Sequence, residues 1–553
     1  MGAEYQTGVI KLSHFSVKEY LISLYIQSHN VKKVRYFSFN EEISHSVISQ
    51  ICLAYLLQFN TSKPLDENLD ASSPLAEYAA KYWIRHADSC CESKFRPSSL
   101  FALMMKLLTD ENNAFLNWVR IYDIDSHSIN LRKQRDEIAK PLYYASLVGL
   151  TEASHVLLEM RADVNAQGGR YGNALQAASK SGCEAITKLL IEKGAEVNAQ
   201  GGFHGNALQA ASDGGHEAIT RLLMEKGADV NTQAGTNGNA LQIASFRGWE
   251  AIVKLLIEKG ADVNAQGGYL GNALQVASFQ GWEAITKLLI EKGAYVNAHG
   301  GCHGNALQAA SYRGHVAIAK FLIKNGANIH AQGGCYGNAL LAASEGGHEE
   351  ITRLLMEKGA DVNAEGGGYA NALQAASFRG WEAITKLLID KGADVNSQGG
   401  YFGNALQGAS FRGWEAITKL LIEKGAYVNA QGGCHGNALQ AASFRGCEAI
   451  VKLLMENGAD INAQGGYFGS ALQAASYRGY EAVIKLLIEK GADLHAQRGR
   501  FGPALQVASC GGHEEIAKLL IEKGADVNAQ GGHYGYALQA ASLKATSQLQ
   551  SCS

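Results

Sequence analysis

The chain has 553 residues, 46% of them hydrophobic and 18% charged, with a formal net charge of −3. That length exceeds one ordinary core, so several domains or a repeat array are expected. The near-neutral balance excludes a global pull toward nucleic acid or acidic membrane surfaces.

The opening MGAEYQTGVIKLSHF has no apolar signal core, and no apolar run of 18 residues follows. A cytoplasmic chain with reduced thiols is therefore expected, the nucleus being an equally reducing alternative. Asn60-Thr61-Ser62 fits a glycosylation sequon but is read as incidental without a secretory route. The ten cysteines show no zinc-ribbon pairing, and vicinal Cys90-Cys91 also reads as incidental. Residues 1–137 predict a helical domain, with helices over 12–23 (LSHFSVKEYLIS), 41–59, 74–87 (PLAEYAAKYWIRHA) and 99–108 joined by polar loops.

From Ile138 one motif repeats every 33 residues without insertion, in twelve full copies over 138–533. A truncated thirteenth copy and a polar tail fill 534–553. Such a period signals stacked supersecondary units. In YGNALQAASKSGCEAITKLLIEKGAEVNAQGGF (171–203), Asn173 is placed to cap a short helix, and alanines 177 and 178 allow close helix approach. Gly182 breaks that helix. Ile186, Leu189 and Leu190 form the buried stripe of a second helix, which Gly194 closes with a positive φ. VNAQGGF then predicts a turn or short β-hairpin. One pair cannot bury its own stripe, so the copies must stack; at about 8–10 Å per packed helix, twelve would make a curved rod roughly 100 Å long.

Over 138–542 the pattern Gly-x-x-Ala-Ile-x-x-Leu-Leu-x-x-x-Gly-Ala-x-Val-Asn-Ala resembles the ankyrin repeat. The resemblance implies an all-α solenoid of helix-turn-helix units, each with a short hairpin. Asn-Ala-Leu-Gln stands in most copies where the family has Thr-Pro-Leu-His, and Pro141 and Pro503 keep a proline in this opening. Asn and Gln are expected to replace the lost Thr–His hydrogen bonding.

Comparing the copies with one another locates the variation. The glycine before the second helix is present in all twelve, and the one after it in eleven, Arg161 replacing it in the first. Change concentrates before the inter-helix glycine (Lys180-Ser181, Asp213-Gly214, Phe246-Arg247, Phe279-Gln280, Tyr312-Arg313, Glu345-Gly346, Phe378-Arg379, Phe411-Arg412, Phe444-Arg445, Tyr477-Arg478, Cys510-Gly511) and at the tips (Tyr269-Leu270, Cys302-His303, Cys335-Tyr336, Tyr401-Phe402, Cys434-His435, Tyr467-Phe468). By resemblance these positions line the concave groove that grips protein partners. Phe246, Arg247, Phe279, Tyr312, Arg313, Phe378, Arg379, Phe411, Arg412, Phe444, Arg445, Tyr477, Arg478, Tyr269, Tyr401, Phe402, Tyr467 and Phe468 are the candidate partner-binding residues, facing open water. Aromatics and arginine dominate interface hot spots, so the expected partner is an acidic protein with apolar anchors, not a nucleic acid, membrane or small molecule. Packing against the next copy is the alternative for Trp249, Trp282, Trp381 and Trp414. The block 204–335 resembles 336–467, which reads as a four-copy duplication.

No catalytic motif emerges. The His-Glu pairs at 216, 348 and 513 lack a second His four residues on, no Gly-Lys dipeptide offers a phosphate loop, and no Gly-x-Ser-x-Gly elbow occurs. The expectation is no enzyme, no cofactor and no metal, a whole repeat separating Cys302 from Cys335. LSHFSVKEYLIS and PLAEYAAKYWIRHA resemble the segment joining a NACHT-type NTPase to its ankyrin array in fungal NLR-like proteins. That implies the sensor arm of an innate-recognition or incompatibility receptor, here without the NTPase module. The alternatives are a non-catalytic regulatory fragment of such an NTPase and a structural scaffold without a selective ligand.

Overall fold

The computed structural model describes residues 41–61, 65, 73–88, 99–109, 113–235, 238–269, 271–533 and 535–542. The helix expected over 12–23, Ser62, the Cys90-Cys91 pair, Leu270 and the tail from residue 543 lie outside them. By its contacts the chain divides into two compact units, Met1–Ala261 and Asp262–Ser553.

The first unit opens with α1 (Glu41–Leu57), α2 (Ala76–Asp88), α3 (Ser99–Leu108) and α4 (Asn113–Ile121). Of these, α4 is covered on nearly every side: Ala114, Phe115, Leu116, Asn117, Trp118, Val119 and Ile121 are all buried. Its Trp118 meets Trp83 of α2 and Tyr144 of the first repeat edge-on, at centroid distances of 5.5 and 5.9 Å. Edge-to-face geometry of this kind is favoured by the ring quadrupoles. The Trp118 indole N–H donates to the Ala80 carbonyl at 3.0 Å. The neighbouring Tyr143 hydroxyl donates to Asp125 Oδ1 at 2.8 Å, while Asp125 Oδ2 accepts the Arg170 backbone N–H. The helical segment and the first repeat therefore share one core.

Each 33-residue copy then contributes a helix pair, from Pro141–Leu147 with Thr151–Glu159 to Ala504–Gly511 with Glu514–Glu522. In copy 171–203 the Asn173 side chain accepts the Gln176 backbone N–H at 2.9 Å and so starts the helix Ala174–Ser181. Gln176 Nε2 donates onward to the carbonyls of Ala199 and Gly205, at 3.1 and 3.0 Å. Asn and Gln divide the work as expected: one caps the helix, the other ties it to its own loop and to the next copy. Gly182 ends the helix at φ 81, and a Cβ there would stand 2.5 Å from the His216 ring of the next copy. Both the left-handed backbone and the close approach require glycine, which accounts for its presence in every copy.

The second helix, Glu184–Glu192, buries Ile186, Thr187 and Leu190. Leu189, expected on that stripe, is half-buried; Thr187 takes the inward place, its hydroxyl donating to the Cys183 carbonyl at 2.9 Å. Gly194 follows at φ 92, whereas Arg161 holds the same place in the first copy at φ 64. The asparagine of Val-Asn-Ala, or Val-Asn-Ser at 395–397, joins successive copies. Asn396, for example, donates to the Gly425 carbonyl at 3.0 Å and accepts the Tyr427 N–H at 2.7 Å.

The expected hairpin shrinks to isolated bridges such as Gly201↔Gly205 and Gly432↔Gly436. The Gly-Gly tip, with φ 62 at Gly202, reverses the chain too tightly for a longer ladder. The tips bond to one another instead. Cys302 N–H donates to the Tyr269 carbonyl at 3.2 Å, Cys335 to Cys302 at 2.9 Å, Cys434 to Tyr401 at 3.2 Å and Tyr467 to Cys434 at 3.0 Å.

Candidate partner-binding face

First-helix ends and tips lie together, because each tip folds back over the end of a helix. In the second unit their rings interleave. Phe279 stacks on His303 and Tyr312 on Tyr336, both at 4.0 Å. Phe378 lies between Tyr369 and Phe402 at 5.4 and 4.2 Å. The series continues Phe402–Phe411 at 5.4 Å, Phe411–His435 at 4.5 Å and His435–Phe444 at 5.3 Å. It runs on through Phe444–Phe468 at 4.7 Å, Phe468–Tyr477 at 5.1 Å and Tyr477–Phe501 at 5.2 Å.

This corrects the expectation that the rings stand open to water. Phe378 and Phe468 are only 9% and 7% exposed. Phe246, Phe279, Tyr312, Phe402, Phe411, Phe444 and Tyr477 are half-buried. Their faces are covered because the tip aromatics, whose partners the repeat period alone does not reveal, slot between successive helix ends. His303 and His435 belong to this stack, and burial pushes both imidazoles below their ordinary value, so they serve as neutral rings. Open to solvent are Tyr269, Tyr401 and Tyr467, at 70%, 64% and 44%.

The arginines Arg247, Arg313, Arg379, Arg412, Arg445 and Arg478 are exposed. Each reaches back to the helix end of the preceding copy, and what it meets there depends on one residue. Over an aromatic, the guanidinium lies on the ring: Arg313 on Phe279 at 4.9 Å, Arg412 on Phe378 at 5.0 Å, Arg445 on Phe411 at 5.3 Å, Arg478 on Phe444 at 5.0 Å. Beside an acid it forms an ion pair: Arg379 with Glu345 at 2.6 Å, Arg247 with Asp213 at 2.7 Å. Neither acid stood among the candidate residues, although their offset of 34 from an arginine is present in the sequence.

In the first unit Asp213 replaces the ring. It is buried, which raises its carboxyl, but hydrogen bonds from Arg247 and Lys180 outweigh that and hold it below the ordinary range. His204, 4% exposed, stacks against Tyr171 at 5.6 Å with its Nε2 3.8 Å from Asp213. Burial lowers His204 to about 4, the attraction of Asp213 only partly offsetting it.

The residue after the inter-helix glycine has a stacking role. Trp381 and Trp414 donate their indole N–H to the carbonyls of Glu345 and Phe378 at 3.1 and 2.9 Å, and lie against Gly347 and Gly380. His216, His315, His348 and His513 place Nε2 2.9–3.0 Å from the equivalent carbonyls of Lys180, Phe279, Tyr312 and Tyr477. Trp and His interchange here because each presents a ring N–H at the same point. Trp249 likewise lies against Gly215. The 2.9 Å backbone hydrogen bond from Cys335 N–H to the Cys302 carbonyl also shows that neighbouring tips touch although a whole repeat separates them along the chain. Among the described residues, no group of three or more His, Cys, Asp or Glu side chains is placed to hold a metal ion.

Sequence models of ankyrin repeats in three-copy form match residues 202–267, 267–333, 307–399, 373–465 and 466–531, more than half of the chain, and a many-copy model matches 175–223. The chain belongs to the ankyrin-repeat family. This ankyrin chain is 40% identical over 187 residues to azaphilone pigments biosynthesis cluster protein L of Monascus ruber, a match covering 32% of the chain and 38% of that protein. It thus spans well under half of that relative's length. Against the crystal structure of the human ASB11 ankyrin repeat domain, identity is 25%, coverage is 40% of this chain and 98% of that one, and the TM-score is 0.36. Ankyrin repeats are protein-interaction scaffolds, and the all-helical paired repeats here follow that architecture. Among the described residues, no helix is long and apolar enough to cross a membrane.

Proposed function

We propose that this ankyrin chain is a non-catalytic, cytoplasmic scaffold that captures an acidic protein partner on the face formed by its first-helix ends and tips. One observation carries the reading: arginines stay exposed along that face while the aromatics beneath them are stacked into a support. The candidate set accordingly narrows to Arg412, Arg445 and Arg478 with the open tyrosines Tyr401 and Tyr467 as apolar anchors. Phe378, Phe402, Phe411, Phe444 and Phe468 act by holding that surface in place. A role as the sensor arm of an innate-recognition or incompatibility receptor rests on the phrases LSHFSVKEYLIS and PLAEYAAKYWIRHA alone.

The test is affinity capture with wild type and with a variant carrying Tyr401→Ala and Tyr467→Ala plus Arg412→Gln, Arg445→Gln and Arg478→Gln. Loss of a partner at unchanged melting temperature supports the reading. Equal recovery of every partner overturns it.

A further inference from the structure

The row of arginines has a pitch, and the pitch selects a ligand conformation. The rings beneath the guanidiniums repeat at 6.4 Å from Phe378 to Phe411 and 6.1 Å from Phe411 to Phe444. Arg412, Arg445 and Arg478 each lie 5.0–5.3 Å over the ring of the preceding copy, so each ring of the row carries one cation. Among the described residues none of the three has a carboxylate within ion-pair distance. Three like charges set on successive rings of one row repel one another in water, and a matched anion would relieve that.

The chain itself shows which anion suits the place. Where Glu345 stands instead of an aromatic, its carboxylate takes Arg379 at 2.6 Å; where Asp213 does, it takes Arg247 at 2.7 Å. A carboxylate brought from outside would meet Arg412, Arg445 and Arg478 in the same way.

Resting on the scaffold reading, we propose that these three arginines bind an extended acidic segment carrying Asp or Glu at every second residue. Alternate side chains of a β-strand lie on one face and advance about 6.6 Å, close to the observed step. A helix advances about 6 Å over four residues but turns by about 40° each time, which carries the third carboxylate off the row. Single-stranded nucleic acid draws its affinity from aromatic faces on which bases stack. Here the rings beneath the three arginines are covered by neighbouring rings and guanidiniums, the open aromatics being the tip tyrosines beside them, so the polypeptide is favoured.

The experiment is fluorescence anisotropy on the full chain with three labelled probes of equal length: an alternating Glu-Thr peptide, a peptide of the same composition written Glu-Glu-Thr-Thr, and oligothymidylate. The alternating peptide should bind at least about tenfold tighter than the other two, and more weakly as salt is raised. R412Q/R445Q/R478Q should abolish that preference, a triple Arg→Lys variant should restore part of it, and R379Q, whose charge Glu345 already meets, should leave it intact. Equal binding of both peptides overturns the every-second-residue register and leaves the scaffold reading standing. Tighter binding of oligothymidylate overturns the choice of ligand. An unaltered preference in the triple Gln variant overturns the site. If no probe binds, the acidic-strand proposal falls, while affinity capture with the tyrosine variants still decides the scaffold.

Discussion

At the scale of single residues, Arg161, His204 and Asp213 have measurable consequences. Arg161 occupies the left-handed helix-end position at φ 64 where other copies have glycine. A side chain there costs about 1 kcal/mol, so Arg161→Gly should raise the unfolding free energy by about that amount in urea titrations. His204 works in the opposite sense. Its folded value of about 4 lies below the ordinary 6.5, so between those limits the unfolded chain binds a proton that the folded chain refuses. Stability must therefore fall as pH drops from 6.5 toward 4. His204→Phe, matching the aromatic of other copies, should flatten that part of the stability profile. Asp213, held low, contributes in a separate window: its stabilisation is present above the unfolded carboxylate value and is lost as pH falls through the depressed folded one.

At the scale of the repeat element, stacking relies on polar ties as much as on the apolar stripe. Asn396 makes two bonds to the following copy, and a net hydrogen bond is worth about 1 kcal/mol. Asn396→Ala should lower stability by about 1–2 kcal/mol, read from chemical denaturation. The interchange of Trp and His gives a sharper check. Trp414→His should retain most of the stability, because Nε2 can still reach the Phe378 carbonyl. Trp414→Leu should lose it, leaving that carbonyl without its partner. Equal destabilisation by the two variants would show that ring volume, not the N–H, matters.

At the scale of the molecule, the copies are not equally tied. In copy 336–368, Leu341 stands where neighbours carry the Gln that bonds the loop, and Glu345 interrupts the rings. The tip after it has Ala370 at φ 71. Among the described residues the bond ladder that joins the tips of Tyr269, Cys302 and Cys335 resumes only from Tyr401. Repeat arrays open where nearest-neighbour ties are weakest. Hydrogen exchange should therefore be fastest within the second unit around 336–370, slower around 401–470; uniform protection would contradict this.

Much of this was legible in the chain. The 33-residue period, the capping Asn, the glycines at helix ends and the helix over 99–108 follow from local chemistry, because caps and positive-φ positions depend on neighbours a few residues away. The helix over 113–121 falls outside the expected elements although Phe115, Leu116, Trp118 and Val119 keep helical spacing, because at nine residues it is short for a helix read from pattern. The fate of the aromatics was not legible either, and the pattern of variation assigned them wholesale to a reading face. Whether Phe378 looks at water or at Phe402 depends on a residue 24 positions on being folded back beside it. Whether an arginine stays available depends on one side chain 34 positions earlier. The sequence alone determined the repeat and its internal geometry; only the stacked structure decided which of the variable side chains are packed into the row of rings and which stay exposed, because that depends on residues folded back from the next copy.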